Sequence, residues 1–527
     1  MAFAALSGPP VDGAGYREYW RVSTEKLDFI YLHPCHGDNA EAAKMYPLIP
    51  VGVLAIVNHL LDSGLTGRGL NVPLELRRDE TFDPRPWIDA RDFSIALIDI
   101  NWYLHLAGGL DLAALVKEVR PEATVLVGGL TATRFAEEIL RRFPAVDAVC
   151  RGDGEEPARM LAETCAGRAG HTMEQIPNLA WRDGEEIRFN DQTYIDRDMD
   201  RWNYCDLAFL ENEKDYYYNS ILKWADLATH WLALGRGCRF ACYHCDGSSQ
   251  AQKKLFGRAG LMVRDPELVA RDIEVLAGRG VENVSFTHDL VHIGEDYWRT
   301  LFAAVRRSGV RVGAMQPFWQ SLPCDDFARE FSETFVMKNS YVNVSIETAV
   351  EEMRRHIHNC TYYSNAEFFE GLKILKHHGV PIMVYFRLNS PWETAKTMEV
   401  NIRCAAEVFR LFPEDAPPIF VSDVPLDPSS PYSHAAGGHG SRFDFSFPEL
   451  GFDDYYQFSR GIIPVDKVFA RPAEKAIDMR RYTEFDHLGK LDVLFVKKLV
   501  PRMWERWEEL MLSDGKSWDA IRSGVVV

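Results

Sequence analysis

Ala233-Leu-Gly-Arg-Gly-Cys-Arg-Phe-Ala-Cys-Tyr-His-Cys-Asp-Gly-Ser-Ser249 places Cys238, Cys242 and Cys245 within eight residues, at C-x3-C-x2-C spacing. A short apolar run ends at Leu234, and a Gly-Arg-Gly turn leads into the loop. Thiols this close in a loop point to metal, because thiolates are soft ligands for zinc, copper or iron–sulfur centres. A structural site would be closed by four protein ligands. Three leave one coordination position open for chemistry.

Outward from this loop, strand-like and helical patterns alternate. Expected strands are Trp231–Leu234, Asn283–Thr287, Arg311–Met315, Tyr341–Ile346, Ile382–Arg387 and Ile419–Val424. Helical periodicity fills Asp265–Gly278, Asp296–Ser308, Asp325–Lys338, Asn365–His378 and Thr394–Leu411. Six strands with five helices predict a partial parallel barrel, whose chemistry collects at the C-terminal strand ends. The cysteine loop follows the first strand, which is such an end.

Upstream, strands are expected at Leu27–Pro34, Phe93–Ile100, Ala123–Val127 and Val146–Cys150, with helices at Val53–Leu61, Leu110–Val119 and Arg134–Phe143. This alternation predicts a parallel, doubly wound sheet whose ligands sit beyond the strands' carboxyl ends. Val125-Leu-Val-Gly-Gly-Leu-Thr-Ala-Thr133 puts two glycines where a ligand can approach bare backbone, and Arg151-Gly-Asp-Gly-Glu-Glu-Pro157 repeats the theme. The same glycines also suit plain strand-to-helix turns. No G-x-G-x-x-G opens the first helix, which argues against a nicotinamide-binding unit.

The 527 residues suffice for two or three domains; 46% hydrophobic and 26% charged content is ordinary for a globular enzyme. A net charge of -18 argues against nucleic-acid binding. No secretory signal opens the chain and no run reaches the ~20 apolar residues of a membrane span. Ten cysteines with one tight cluster suggest a reducing cytoplasm.

Residues 228–435 resemble the radical S-adenosylmethionine superfamily, on the strength of Cys238-x3-Cys242-x2-Cys245 after barrel strand one. The resemblance implies that the three cysteines hold a [4Fe–4S] cluster whose fourth iron binds S-adenosylmethionine. Reductive cleavage then gives a 5′-deoxyadenosyl radical. His244 stands where the family usually has an aromatic residue on the adenine. Thr287 and Asp289 end strand two and Ser345 and Glu347 strand four; by the same resemblance both ends contact S-adenosylmethionine. Arg387 closes an apolar strand, so it pairs either with the methionine carboxylate or with Glu347. For the Glu347 end, a helix cap with Thr348 and Glu351 as a capping box is the other reading.

Residues 25–165 resemble the cobalamin-binding domain that precedes many such enzymes, through Pro-x-Gly before the first helix, Val127-Gly-Gly129 and Arg151-Gly-Asp-Gly154. Gly128, Gly129, Thr131, Thr133, Gly152 and Asp153 are the implied cobalamin contacts, with Tyr103 and His105 facing the corrin or simply packed. The Asp-x-His-x-x-Gly motif of cobalt-ligating domains is absent; the loop reads Cys35-His-Gly-Asp-Asn39.

The expected architecture is thus an α/β chain: a Rossmann-like cobalamin-binding domain (1–165), a linker (166–227) containing a hairpin at Leu179–Phe189, a barrel (228–435) and a mostly helical cap (436–527). The cap is expected to close the barrel mouth, with Tyr455, Tyr456, Arg480 and Tyr482 either touching substrate or packing the cap. Val424-Pro-Leu-Asp-Pro-Ser-Ser-Pro431 resembles a Leu-Asp-Pro-Gly-Ser segment of cobalamin-dependent radical enzymes. The implied activity is methylation of an unactivated carbon or phosphorus centre of a small molecule. An electron donor such as flavodoxin or ferredoxin would serve it. Non-methylating cyclisation, rearrangement or oxidation is the alternative within the family. A zinc module using His244 or His288, or a non-catalytic cobalamin carrier, is the alternative outside it.

Overall fold

The computed structural model describes residues 25–35, 47–218, 227–358, 362–388, 395–412, 419–423, 427–431 and 450–461. Strand β1 (Glu25–His33) is buried along both faces from Phe29 onward, the signature of a central parallel strand. It pairs in parallel with β2 (Gly67–Asn71) and β3 (Arg91–Asp99); β4 (Thr124–Gly128) and β5 (Ala148–Cys150) continue the sheet in parallel. The hairpin β6 (Leu179–Asp183) and β7 (Glu186–Phe189) adds antiparallel to β5, turning at Gly184, whose φ is 59°. The sheet order is β2-β1-β3-β4-β5-β6-β7. Helices Val51–Asp62 and Leu106–Val119 lie where the apolar periodicity predicts, the expected Arg134–Phe143 is Ala136–Arg142, and Glu155–Cys165 is a further helix that was not expected.

The second sheet comprises β8 (Thr229–Leu232), β11 (Asn283–Phe286), β12 (Gly313–Phe318), β13 (Tyr341–Glu347), β14 (Ile382–Leu388) and β15 (Ile419–Asp423). All five pairings are parallel and each strand lies beside its predecessor in this series. Among the described residues β8 and β15 are not paired with each other, as in a partial barrel. Between β8 and β11, a small antiparallel ribbon of β9 (Gly235–Gly237) and β10 (Leu261–Val263) brackets the cysteine loop and the helix Ser249–Phe256. Gly237 makes the ribbon possible: its φ is +90°, and a Cβ there would lie 2.3 Å from the Gly260 carbonyl oxygen.

The helix Phe452–Ser459 docks on the first sheet's helices rather than over the barrel. Tyr455 packs edge-on against Tyr103 at 5.3 Å, Tyr456 packs on Phe143, and Arg460 pairs with Asp111. Packing is therefore the reading that holds for Tyr455 and Tyr456. Gly437–Gly440, Arg480, Tyr482 and Leu491–Met511 lie outside the described residues. No described helix is long and apolar enough to cross a membrane.

Candidate functional site

The cysteine loop is pinned at its root. Thr287 Oγ1 accepts from Leu234 N at 3.1 Å and donates to the Leu232 carbonyl at 3.1 Å, joining the ends of β8 and β11. Within the loop, backbone amides point at sulfur: Phe240 N to Cys238 Sγ at 3.4 Å and Gly247 N to Cys245 Sγ at 3.2 Å. Burial pushes both thiols up, with Asp427 adding to the rise at Cys245, so metal must displace their protons to bind. Amide donors on sulfur stabilise the resulting thiolates. Among the described residues, the group of three whose ligand atoms all lie within 4.8 Å of one another is His33, Asp99 and His105.

Three of the barrel residues expected at S-adenosylmethionine converge beside this loop. The Arg387 guanidinium meets His244 Nε2, and its Nε lies 3.7 Å from Glu347 Oε1. Glu347 adopts φ 58° at a register shift in β13, a conformation that costs an L-residue on the order of 1–3 kcal/mol and marks functional ends of elements. The capping-box reading fails: Thr348 Oγ1 accepts from Val350 N, while Glu351 accepts from Tyr362 Oη and Asn365 N. Ser345 is buried, and its carbonyl accepts from Tyr363 Oη at 3.1 Å.

Thr287 and Asp289 are otherwise engaged. Thr287 is the strand clamp just described. Asp289 accepts from Val291 N, Gln316 Nε2, Trp319 N and Ser321 Oγ, so its carboxylate organises a loop rather than a ligand.

Asp427 belongs to the Val424–Pro431 segment that the sequence set apart without giving a residue role, and Asp246 carried no expectation. Asp427 Oδ2 accepts from Asp246 N at 3.1 Å, Asp427 N donates to the His244 carbonyl at 3.2 Å, and Ser429 N donates to Asp246 Oδ1 at 2.5 Å. The Asp-Pro-Ser-Ser-Pro turn is thereby laced onto the cysteine loop. Burial raises both carboxyls, Asp427 to about 6.

Beyond the first sheet lies a cavity of about 270 Å³, walled by Val53, Ile56, Leu97 and Leu126 and rimmed by glycines. Gly128, Gly129, Gly152 and Asp153 line it, and so do Gly52 and Gly237, the residue before Cys238. A Cβ at Gly128 would come no nearer than 3.7 Å to any wall atom, and one at Gly52 no nearer than 4.0 Å. Side chains at either place would occupy ligand space, so the cradle fits a bulky, largely apolar group such as a corrinoid's nucleotide tail. Gly128→Val should therefore lower hydroxocobalamin uptake at least ~10-fold while leaving cluster iron unchanged, measured by absorbance and iron assay on reconstituted protein.

The other expected cobalamin contacts stand back from this wall. Thr131 Oγ1 donates to the Asn101 carbonyl and Thr133 Oγ1 accepts from Gly152 N, so both shape the loops. Tyr103 is packed under the helix Phe452–Ser459, and His105 is buried against His33. Tyr31 and Asp99 line the cavity instead.

Asp153 is committed to a lock between the loop after β5 and the β9–β10 ribbon that brackets the cysteine loop. Arg236 reaches Asp153 Oδ1 at 3.2 Å, Glu155 Oε1 at 2.5 Å and Asp196 Oδ2 at 3.5 Å, and Arg258 pairs with Asp153.

Residues 232–403 match the radical SAM superfamily. The chain is 30% identical over 255 residues, 47% of its length and 38% of the relative's, to the anaerobic magnesium-protoporphyrin IX monomethyl ester cyclase of Cereibacter sphaeroides. It is 22% identical over 265 residues, 50% of its length and 47% of the relative's, to the hopanoid C-3 methylase of Methylococcus capsulatus. The alignments thus span less than half of either relative. Among solved structures, the radical S-adenosylmethionine methyltransferase TsrM from Kitasatospora setae superposes with a TM-score of 0.62 at 14% identity, covering 95% of this chain and 98% of that one. The cobalamin-dependent radical enzyme OxsB superposes with a TM-score of 0.54 at 9% identity, covering 80% and 57%. At such identities these likenesses establish the two-sheet fold. Over residues 232–403, most of the barrel and all of the cysteine loop, this chain is similar to the radical SAM superfamily.

Proposed function

We propose that this chain is a cobalamin-dependent radical S-adenosylmethionine enzyme that methylates an unactivated carbon or phosphorus centre of a small molecule. The carrying observation is the shared cavity wall: glycines at the first sheet's carboxyl edge face Gly237, which adjoins the first cluster cysteine. Two cofactors held there would front one space at a domain interface, a common place for ligand sites. When bound, the cluster with S-adenosylmethionine supplies a 5′-deoxyadenosyl radical, and the corrinoid supplies the methyl group.

The chain's own residues do the rest. Cys238, Cys242 and Cys245 hold the cluster. Glu347 and Arg387 offer a carboxylate and a guanidinium to the ammonium and carboxylate of the methionine moiety, and His244 stacks beside the adenine. Asp427, raised by burial toward neutrality, retains or yields a proton near the loop. The apolar cavity walls keep water from a reactive radical. A one-electron donor such as flavodoxin or ferredoxin would complete the system.

Likeness to the cyclase supports a second reading, ring-forming oxidation without methyl transfer. Product analysis separates them. Protein reconstituted with iron, sulfide and hydroxocobalamin and reduced anaerobically with titanium(III) citrate should convert S-adenosylmethionine to about one S-adenosylhomocysteine per bound corrinoid, together with 5′-deoxyadenosine. Deoxyadenosine without any S-adenosylhomocysteine would overturn methyl transfer and favour the cyclase-like reading.

A further inference from the structure

We propose that His33, Asp99 and His105 form a binding site for one divalent transition ion of the zinc type, buried beneath the cavity and separate from the cysteine loop. The proposal stands independently of the methyl-transfer reading. His33 and Asp99 are the last residues of the neighbouring strands β1 and β3, so the parallel pairing sets them side by side. His105 ends the short turn Tyr103–His105, which folds back over those strand ends. Each residue offers a ligand atom within 4.8 Å of the other two, and all three side chains are buried.

The detailed geometry is that of a ligand set. His33 Nδ1 lies 2.9 Å from Asp99 Oδ1, a separation compatible with two donors sharing one ion at ~2.0–2.2 Å bonds. The two imidazoles meet edge to face at 4.9 Å. Tyr31 Oη donates to Asp99 Oδ1 at 2.7 Å, the kind of outer hydrogen bond that orients a ligating carboxylate. Asp99 Oδ2 is buried with no hydrogen-bond partner among the described residues. Asp99 also lines the cavity, which gives an ion a way in. A hydrogen-bonded network alone would account for Tyr31 and His33. It would leave that second carboxylate oxygen without a partner among the described residues. Two nitrogens and one carboxylate without thiolate suit zinc or ferrous iron rather than a softer ion.

Full-length protein carrying Cys238→Ala, Cys242→Ala and Cys245→Ala, stripped with a chelator, removes the cluster loop from the measurement. Titrated with Zn²⁺ against a chromophoric chelator, it should bind about one ion per chain. His105→Ala or Asp99→Asn added to this background should abolish that binding, and Tyr31→Phe should weaken it ~10–100-fold. Thermal unfolding checks that each variant is folded; if His105→Ala is not, the near-isosteric Asp99→Asn decides. Absence of a stoichiometric site in the parent would overturn the proposal. Equal zinc affinity in parent and a folded His105→Ala or Asp99→Asn variant would do the same.

Discussion

Alanine at Cys238, Cys242 or Cys245 is expected to abolish cluster assembly and, with it, all 5′-deoxyadenosine formation. Iron should fall from about four atoms per chain to near none, and the brown absorbance should vanish. Backbone amides at Phe240 and Gly247 already point at two of the sulfurs, which stabilises them as thiolates. Each thiolate would anchor one iron of the cluster, so losing any one leaves that iron without its protein ligand. Hydroxocobalamin uptake should survive, because none of the three lines the cavity. With Gly128→Val this makes a double dissociation: one change empties the loop and spares the cavity, and the other does the reverse. A colourless wild-type protein holding stoichiometric zinc on these cysteines would sink the cluster assignment.

Most of the scaffold was legible because its strands are buried on both faces and its helices carry regular apolar stripes. Every expected barrel strand lies within a few residues of its place. β2 was not legible: Gly67-Arg-Gly-Leu-Asn71 reads as a turn. Its glycines leave room for the rings of Phe29 and Phe209, which a Cβ would strike at 2.1 and 2.7 Å. The site divides along a similar line. Residues whose chemistry comes from local spacing, such as the cysteines and Val127-Gly-Gly129, could be read directly. Residues whose partners come from another unit could not. Thr287, Asp289, Thr131 and Thr133 are polar at strand ends, as ligand contacts are, yet each satisfies backbone or side-chain groups of the scaffold. Asp99 and Tyr31 meet only because β1 and β3 are neighbours. Arg236 looked like part of a glycine turn until Asp153 and Glu155, some eighty residues earlier, closed on it.

Arg236→Gln should be the most destabilising single change outside the cysteines, at about 3–5 kcal/mol, because it strands buried carboxylates that the guanidinium neutralises. The Glu155 side chain is 1% exposed and that of Asp196 fully buried; Arg258 would remain at Asp153 and Arg201 at Asp196, leaving Glu155 the most exposed to the loss. The effect should depend on pH with a definite sign. Burial is the main cause that raises the Glu155 carboxyl above its ordinary 4.5, and Arg236 is the main opposing influence. Without Arg236 it rises further. The folded chain then holds a proton that the unfolded chain releases above ~4.5, so stability falls as pH rises through that window. The variant's deficit in denaturation midpoint should therefore be larger at pH 8 than at pH 5.5. A deficit that is absent, or that does not change with pH, would mean the lock contributes little. Arg236→Lys, which keeps the charge but not the fork, should recover part of the loss. Because Gly237 and Cys238 follow directly, loosening this lock should also shift the cluster's electron paramagnetic resonance signal in protein that still takes up iron. The ion pairs that join the first sheet's loops to the β9–β10 ribbon would then be what holds cavity and cluster in one register.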